Sequence, residues 1–389
     1  MKGSILPRQK DKNGKPGGPW RITVSLGRDA DGKYPRHRET VEGTKADAQR
    51  RLREILSQVD AGIYVPPSKL TVGQYLERWA DTYAALHTSP RTATSYKAEL
   101  RRHIIPALGG MSLSALRPHH LEAYYVEALK SGRSDGTGGL APRTVVYHHR
   151  ILSEALEHAV RQGELARNPA KLVSPPRPQR AEINMLNVED VSRFLNAATM
   201  SEYFPLFLSA LYTGARLGEL LALQWRNVNL DMATMTIEKT LYRTGDKWYL
   251  KEPKSARSRR QIDLPGAVVT TLREHHTEQG AIRRYLGMVL TDSDFVFSQG
   301  DGKPRDERSV QRGFDRVLRM AGLPHIRFHD LRHTHASLML KAGVHPKAVS
   351  ERLGHGSVSF TLDVYSHIMP GVQKEAVSRF EAMLIGVGK

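Results

Sequence analysis

The chain contains no cysteine. That excludes disulfides, thiolate zinc sites and a cysteine nucleophile, and it suits a reducing compartment. No apolar run comes near the roughly 20 residues needed to cross a bilayer, and Met1 to Trp20 is polar, without the apolar stretch of a signal peptide. The expected setting is therefore the cytoplasm, with no membrane. Acidic residues are few against basic ones, 40 Asp and Glu to 58 Lys and Arg, for a formal net charge of +18 in 389 residues. Such a surplus asks for a polyanion, and nucleic acid is the first candidate. The charge is uneven: +6 over residues 1–65, +7 over 66–180 and +5 over 181–389. The non-specific grip on a polyanion is thus expected in the first 180 residues.

The pattern along the chain separates three domains and a linker. Residues 1–65 read as a small α+β module. Asp11 to Pro19 has the composition of a loop tip, Trp20 to Leu26 and Tyr34 to Val41 alternate as half-buried strands, and Thr44 can cap a helix carrying Ala48, Leu52, Ile55 and Leu56. Residues 66–172 read as four helices. Thr71 and Gln74 fit a capping box, Ser89-Pro90 starts a second helix, Leu116–Leu129 forms a third and Pro142–Leu165 a fourth. Residues 173–184, opening Val173-Ser174-Pro175-Pro176, form a Pro-rich linker of the extended, semi-rigid kind. Residues 185–389 are mixed and mainly helical. Strands are expected at Met235–Leu241, Lys247–Leu250 and Arg260–Leu264, followed by helices at Gly266–Leu286, Ser309–Ala321, Asp330–Lys341, Pro346–Leu353 and Gln373–Leu384.

Four segments of this last region concentrate reactive residues. Thr213 to Leu220 presents Arg216 at a helix start with Glu219 one turn on. Lys251 to Arg260 reads as a basic hairpin tip, mostly solvated, from which a lysine can reach a bound duplex. His329-Asp330-Leu331-Arg332-His333 places His329, Arg332 and His333 on one helical face; a metal reading of the histidines lacks a third ligand. Leu353-Gly354-His355-Gly356 frees His355 to face a cleft, and Tyr365 lies in a short segment before Pro370. Together these residue types suit a phosphodiester. Arginines fork onto non-bridging oxygens, histidines donate and move protons, a lysine protonates a leaving alkoxide, and a tyrosine hydroxyl attacks once activated. Clustered cations stabilise the pentacoordinate transition state, so no metal is needed.

In that order, Arg216, Lys254, His329-Asp330-Leu331-Arg332, His355 and Tyr365 resemble the Arg…Lys…His-x-x-Arg…His…Tyr signature of the tyrosine recombinases, in particular the integrases of phages and integrative elements. Thr-Gly-Ala-Arg-Leu-Gly-Glu and Leu-Gly-His-Gly-Ser also match family wording. The resemblance implies a multidomain fold: a three-stranded arm-binding domain (1–65), an all-α core-binding domain (66–172) and the catalytic domain of the family (185–389). It implies that Arg216 and Arg332 hold the scissile phosphate, that Tyr365 forms a 3′-phosphotyrosyl link, and that Lys254 is the general acid, with Lys251 and Arg257 sharing its hairpin. His329 would assist proton transfer, His355 would bond the phosphate, and Glu219 would orient the site. No cofactor is implied. The implied partners are double-stranded DNA at core and arm-type attachment sites, a homotetramer on that DNA joined by a tail with Val377, Phe380 and Leu384 on one face, an excisionase or directionality factor, and a host DNA-bending protein. Two other readings stand beside it, a non-catalytic DNA-binding regulator and a type IB topoisomerase.

Overall fold

A computed structural model describes residues 3–381 apart from 11–15, 27–34, 62–63, 65–68, 180–183, 253–258, 355–356, 366–376 and 378–379, and gives the backbone alone at 8–10, 16–18, 360 and 363–365. The chain divides into two compact units, Met1–Arg180 and Ala181–Lys389.

In the first unit, β1 (Gly3–Lys10), β2 (Pro16–Ser25) and β3 (Arg36–Val41) form an antiparallel sheet in that order. The alternation at Trp20, Ile22 and Val24 places all three on one buried face, packed with Ala48 and Ile55 of α1 (Lys45–Asp60). The expected capping box is present: Asp47 N donates to Thr44 Oγ1 at 3.2 Å, and Thr44 N to Asp47 Oδ2 at 2.9 Å. Residues 16–19, read as part of a loop tip, instead begin β2, with Pro16 opposite Lys10. Proline is tolerated there because a first strand residue can forgo its ladder donor.

A second core in this unit is helical. α2 (Val72–Trp79) runs through a π turn at Ala80–Ala84 into α3 (Ala85–His87), and α4 (Pro90–Glu99) runs through another at Leu100–Ile104 into α5 (Ile105–Leu108). α6 (Pro118–Ser131) and α7 (Pro142–Arg161) complete the bundle around Tyr75, Trp79, Tyr96, Leu121, Ile151 and Leu156. The third helix starts two residues later than expected because Arg117, preceding a proline, is extended (φ −125°, ψ 159°). The fourth ends at Arg161 rather than Leu165, since Gly163 sits at φ 71°, outside the helical region.

The second unit opens with α8 (Val188–Ala198), α9 (Phe204–Thr213) and the short α10 (Leu217–Leu221). Next come β4 (Val228–Asn229), β5 (Thr234–Ile237), β6 (Thr240–Thr244), β7 (Lys247–Lys251) and β8 (Arg260–Asp263). The single strand expected at Met235–Leu241 is two strands in two sheets: β5 lies between β4 and β8, whereas among the described residues β6 pairs with β7 alone. Buried Met235, Ile237 and Leu241 stay in phase across the break, so the alternation carries no trace of it. α11 (Gly266–Tyr285), α12 (Glu307–Met320), α13 (Asp330–Lys341), α14 (Pro346–Leu353) and α15 (Val358–Tyr365) follow. Tyr365, expected in a short segment, is thus the last residue of a helix. Of the helix expected at Gln373–Leu384, only Val377, Phe380 and Glu381 are described; they are helical, and the two apolar side chains are exposed. Among the described residues no helix is long and apolar enough to cross a membrane.

Candidate active site

Two left-handed glycine turns frame the site. Gly214 ends α9 at φ 63° and Gly354 ends α14 at φ 68°, a backbone that a side chain resists. At Gly214 space forbids one as well, for a Cβ would stand 2.5 Å from Leu353 Cδ2 and 2.8 Å from the His335 ring. The first turn delivers Arg216 to the start of α10 and the second immediately precedes His355. Arg332, on the first turn of α13, joins them: its Nη1 donates to the Gly214 carbonyl and its Nη2 to that of Leu353, each at 2.7 Å. Arg332 as a whole is 3% exposed.

Arg216 and Glu219 meet as their spacing suggests. Glu219 Oε2 accepts from Arg216 N at 2.9 Å and Oε1 from Arg216 Nη1 at 2.8 Å. A third member was not expected. Arg260, at the start of β8, is buried; its Nη2 donates to Glu219 Oε2 at 2.7 Å, its Nη1 to Oε1 at 3.3 Å and its Nε to the Arg352 carbonyl at 2.8 Å. Reading 251–260 as a solvated basic hairpin tip is therefore wrong at its last residue, and the flanking strands β7 and β8 do not form a hairpin, since they pair with β6 and β5 in separate sheets. The signal was available: Arg260 is in phase with Ile262 and Leu264 and so shares their inward face. Burial raises the Glu219 carboxyl pKa, but the Arg260 hydrogen bond and the charges of Arg260 and Arg216 outweigh it and hold the pKa down to about 2.

His329 caps α13 beside Arg332, and its ring meets that of His333 edge-on, centroids 5.1 Å apart. The residue is exposed at the surface, yet the fold around it strips part of its solvent. That desolvation, then the charges of His333, Arg332 and Arg216, lowers its pKa to about 4, so it is neutral near pH 7 and can accept a proton. Arg352 braces the floor, donating to the Tyr212 and Asp263 carbonyls, both at 2.9 Å, and to His335 Nε2 at 3.3 Å. The structure thus brings Arg216, Glu219, His329 and Arg332 together and adds Arg260 and Arg352. Lys254 and His355 lie outside the described residues, and Tyr365 is described in its backbone alone. Glu219 is the carboxylate bonded to two of the four guanidinium groups, so the cluster keeps an excess of positive charge suited to an anion. No group of three metal-ligating side chains occurs among the described residues.

His335 gives the site a pH signature. Burial, with Arg352 adjacent, lowers its pKa from 6.5 to about 3. A histidine held neutral stabilises the fold fully above 6.5, and that stability falls as pH drops towards 3, because the unfolded chain then binds the extra proton. At pH 5 the loss from this residue is about 2 kcal/mol relative to pH 7. Denaturant unfolding at the two pH values should show it, and His335→Gln should flatten the difference. Equal stability at both would contradict a buried neutral His335.

The phage integrase family profile matches residues 184–370, and that of the phage integrase N-terminal SAM-like domain matches 71–129, together more than half of the chain. The chain belongs to the phage integrase family. A tyrosine recombinase XerC-like protein of Caldanaerobacter subterraneus is 28% identical to this family member over 393 aligned positions, covering 96% of this chain and 98% of the relative. An integrase of Streptomyces ambofaciens is 29% identical and covers 92% of each. In fold, the chain is similar to the Tn1549 transposon integrase solved with a circular intermediate DNA (TM-score 0.67, 18% identity, 80% of this chain and all of that one). It is also similar to a lambda integrase dimer bound to a core site (TM-score 0.57, 17% identity, 92% and 95%).

Proposed function

We propose that this protein is a site-specific DNA recombinase that cuts and rejoins strands through a tyrosine, integrating and excising a mobile element. The observation that carries this is the convergence of Arg216, His329 and Arg332 beside the two glycine turns. Arg216 and Arg332 hold the non-bridging oxygens of the scissile phosphate. The Tyr365 hydroxyl attacks phosphorus and passes its proton towards His329. The P–O5′ bond breaks, Lys254 protonates the departing 5′ oxygen, and His355 donates a hydrogen bond to the phosphate. A 3′-phosphotyrosyl bond replaces a phosphodiester of similar energy, and a 5′-hydroxyl from a second strand reverses the steps. Rejoining therefore needs no ATP. In this reading the N-terminal sheet holds arm-type DNA, the helical bundle holds core-type DNA, and four copies assemble on the sites. The exposed Val377 and Phe380 support a tail that packs on a neighbouring copy. An excisionase or directionality factor and a host bending protein would set direction.

The test is a duplex from the DNA flanking this gene, carrying a nick that lets the short 5′-hydroxyl fragment diffuse away. A detergent-stable protein–DNA complex is expected, with the nucleotide on the peptide containing Tyr365 by mass spectrometry. Binding without a covalent complex would make the protein a regulator. Attachment through another residue would overturn the role of Tyr365, and relaxation of any supercoiled plasmid would point to a topoisomerase.

A further inference from the structure

We propose that Arg260 is a positioning residue that keeps Arg216 available for the phosphate; the inference rests on the recombinase reading above. Glu219 sits between two guanidinium groups, Arg216 from the open side and Arg260 from beneath. The Arg216 side chain is 42% exposed, whereas those of Arg260 and Glu219 are 6% and 8% exposed. Arg260 reaches both carboxylate oxygens, at 2.7 and 3.3 Å, while the Arg216 side chain meets Glu219 through Nη1. Glu219 is thus anchored from below and draws on one edge of Arg216. Remove Arg260, and among the described contacts Arg216 is the basic partner left to a buried carboxylate. A buried charge with half its partners gone takes more from the one that remains. Arg216 is then pulled onto Glu219 by its full fork and turned from the phosphate.

Arg260 is well placed for this part. It begins β8, the strand that follows Lys254 in the chain, and it bonds the Arg352 carbonyl near the end of α14. A Cβ on Gly354 would stand 3.0 Å from its Nη1, so the turn before His355 is shaped against it. One guanidinium therefore touches both the carboxylate that bonds Arg216 and the turn that precedes His355. A lysine keeps the charge but cannot span both carboxylate oxygens and a carbonyl.

The experiment measures covalent-complex formation on the suicide duplex, DNA binding and thermal melting for wild type, Arg260→Gln, Arg260→Lys and the double variant Glu219→Gln/Arg260→Gln. Arg260→Gln is expected to cleave about 100-fold more slowly, the cost of a misplaced group near reacting atoms, with DNA affinity within about twofold. Arg260→Lys should lose less. The double variant, whose neutral amide in place of the Glu219 carboxylate cannot capture Arg216, should recover about tenfold over Arg260→Gln, the coupling expected within one network. It also leaves no unpaired buried charge, so it carries the test even if Arg260→Gln melts below the assay temperature. A duplex with a 5′-bridging sulfur, whose leaving group needs no proton, should rescue Lys254→Ala but not Arg260→Gln. Wild-type cleavage by Arg260→Gln, a double variant no faster than Arg260→Gln, or rescue of Arg260→Gln by the bridging sulfur would each overturn the inference. A wild-type protein that forms no covalent complex would instead overturn the recombinase reading.

Discussion

Tyr365→Phe is expected to bind its DNA with wild-type affinity and to form no covalent complex. The substitution removes one oxygen and keeps the ring. Affinity comes from elsewhere. The net charge of +18 lies mostly outside the catalytic region, +13 of it in the first 180 residues, and phosphate contacts of that kind set both affinity and its salt dependence. Binding isotherms at two salt concentrations should superimpose for wild type and variant. Cleavage is another matter, since the proposed intermediate is an ester of this hydroxyl and no lesser version of it can form. The chain has no cysteine to take over as nucleophile. Water held by Arg216 and Arg332 could at most leave a nick, with a free 3′-phosphate and no attached protein. A detergent-stable adduct from Tyr365→Phe would show that another residue attacks, and the proposed role of Tyr365 would fall.

Local chemistry made much of the fold legible. Thr44 with Asp47 and Thr71 with Gln74 form the reciprocal caps their spacing suggests, and Trp20, Ile22 and Val24 alternate onto one buried face. What stayed hidden is non-local. The passage of the chain from β5 to β6 is fixed by partners 260–263 and 247–251, while the apolar period runs straight through the break. The inward phase of Arg260 is local and legible, but its partner is not. A guanidinium is expected in water unless a carboxylate meets it inside, and that carboxylate, Glu219, lies 41 residues upstream. The Arg216–Glu219 contact spans three residues and could be read from spacing, and the third member of the network could not. Glu219 bonds Arg216 through backbone and side chain, and Arg260 in turn bonds Glu219 from the buried side.

Arg332 carries the other large effect, because the group that ties the fold together is also the one proposed to hold the phosphate. Its bonds to the Gly214 and Leu353 carbonyls tie together the turns that precede Arg216 and His355 in the chain. Arg332→Ala abandons two buried acceptors, at about 1–3 kcal/mol each, so a loss near 3 kcal/mol is expected. For a unit of about 200 residues that lowers the melting temperature by roughly 10 °C. Such a loss still leaves a domain of ordinary stability, about 5–15 kcal/mol, mostly folded at 25 °C. Unfolding therefore cannot account for the drop in cleavage, which should reach about 1000-fold, the upper range for removing one preorganised donor from a developing anion. Arg332→Lys separates the two roles. One ammonium can meet one carbonyl or the phosphate, but it has no fork to meet all three. It should recover part of the melting temperature while cleavage stays at least about 100-fold down. If Arg332→Lys instead cleaves at the wild-type rate, Arg332 is a structural staple between the two turns, and the phosphate is held by Arg216 and other groups.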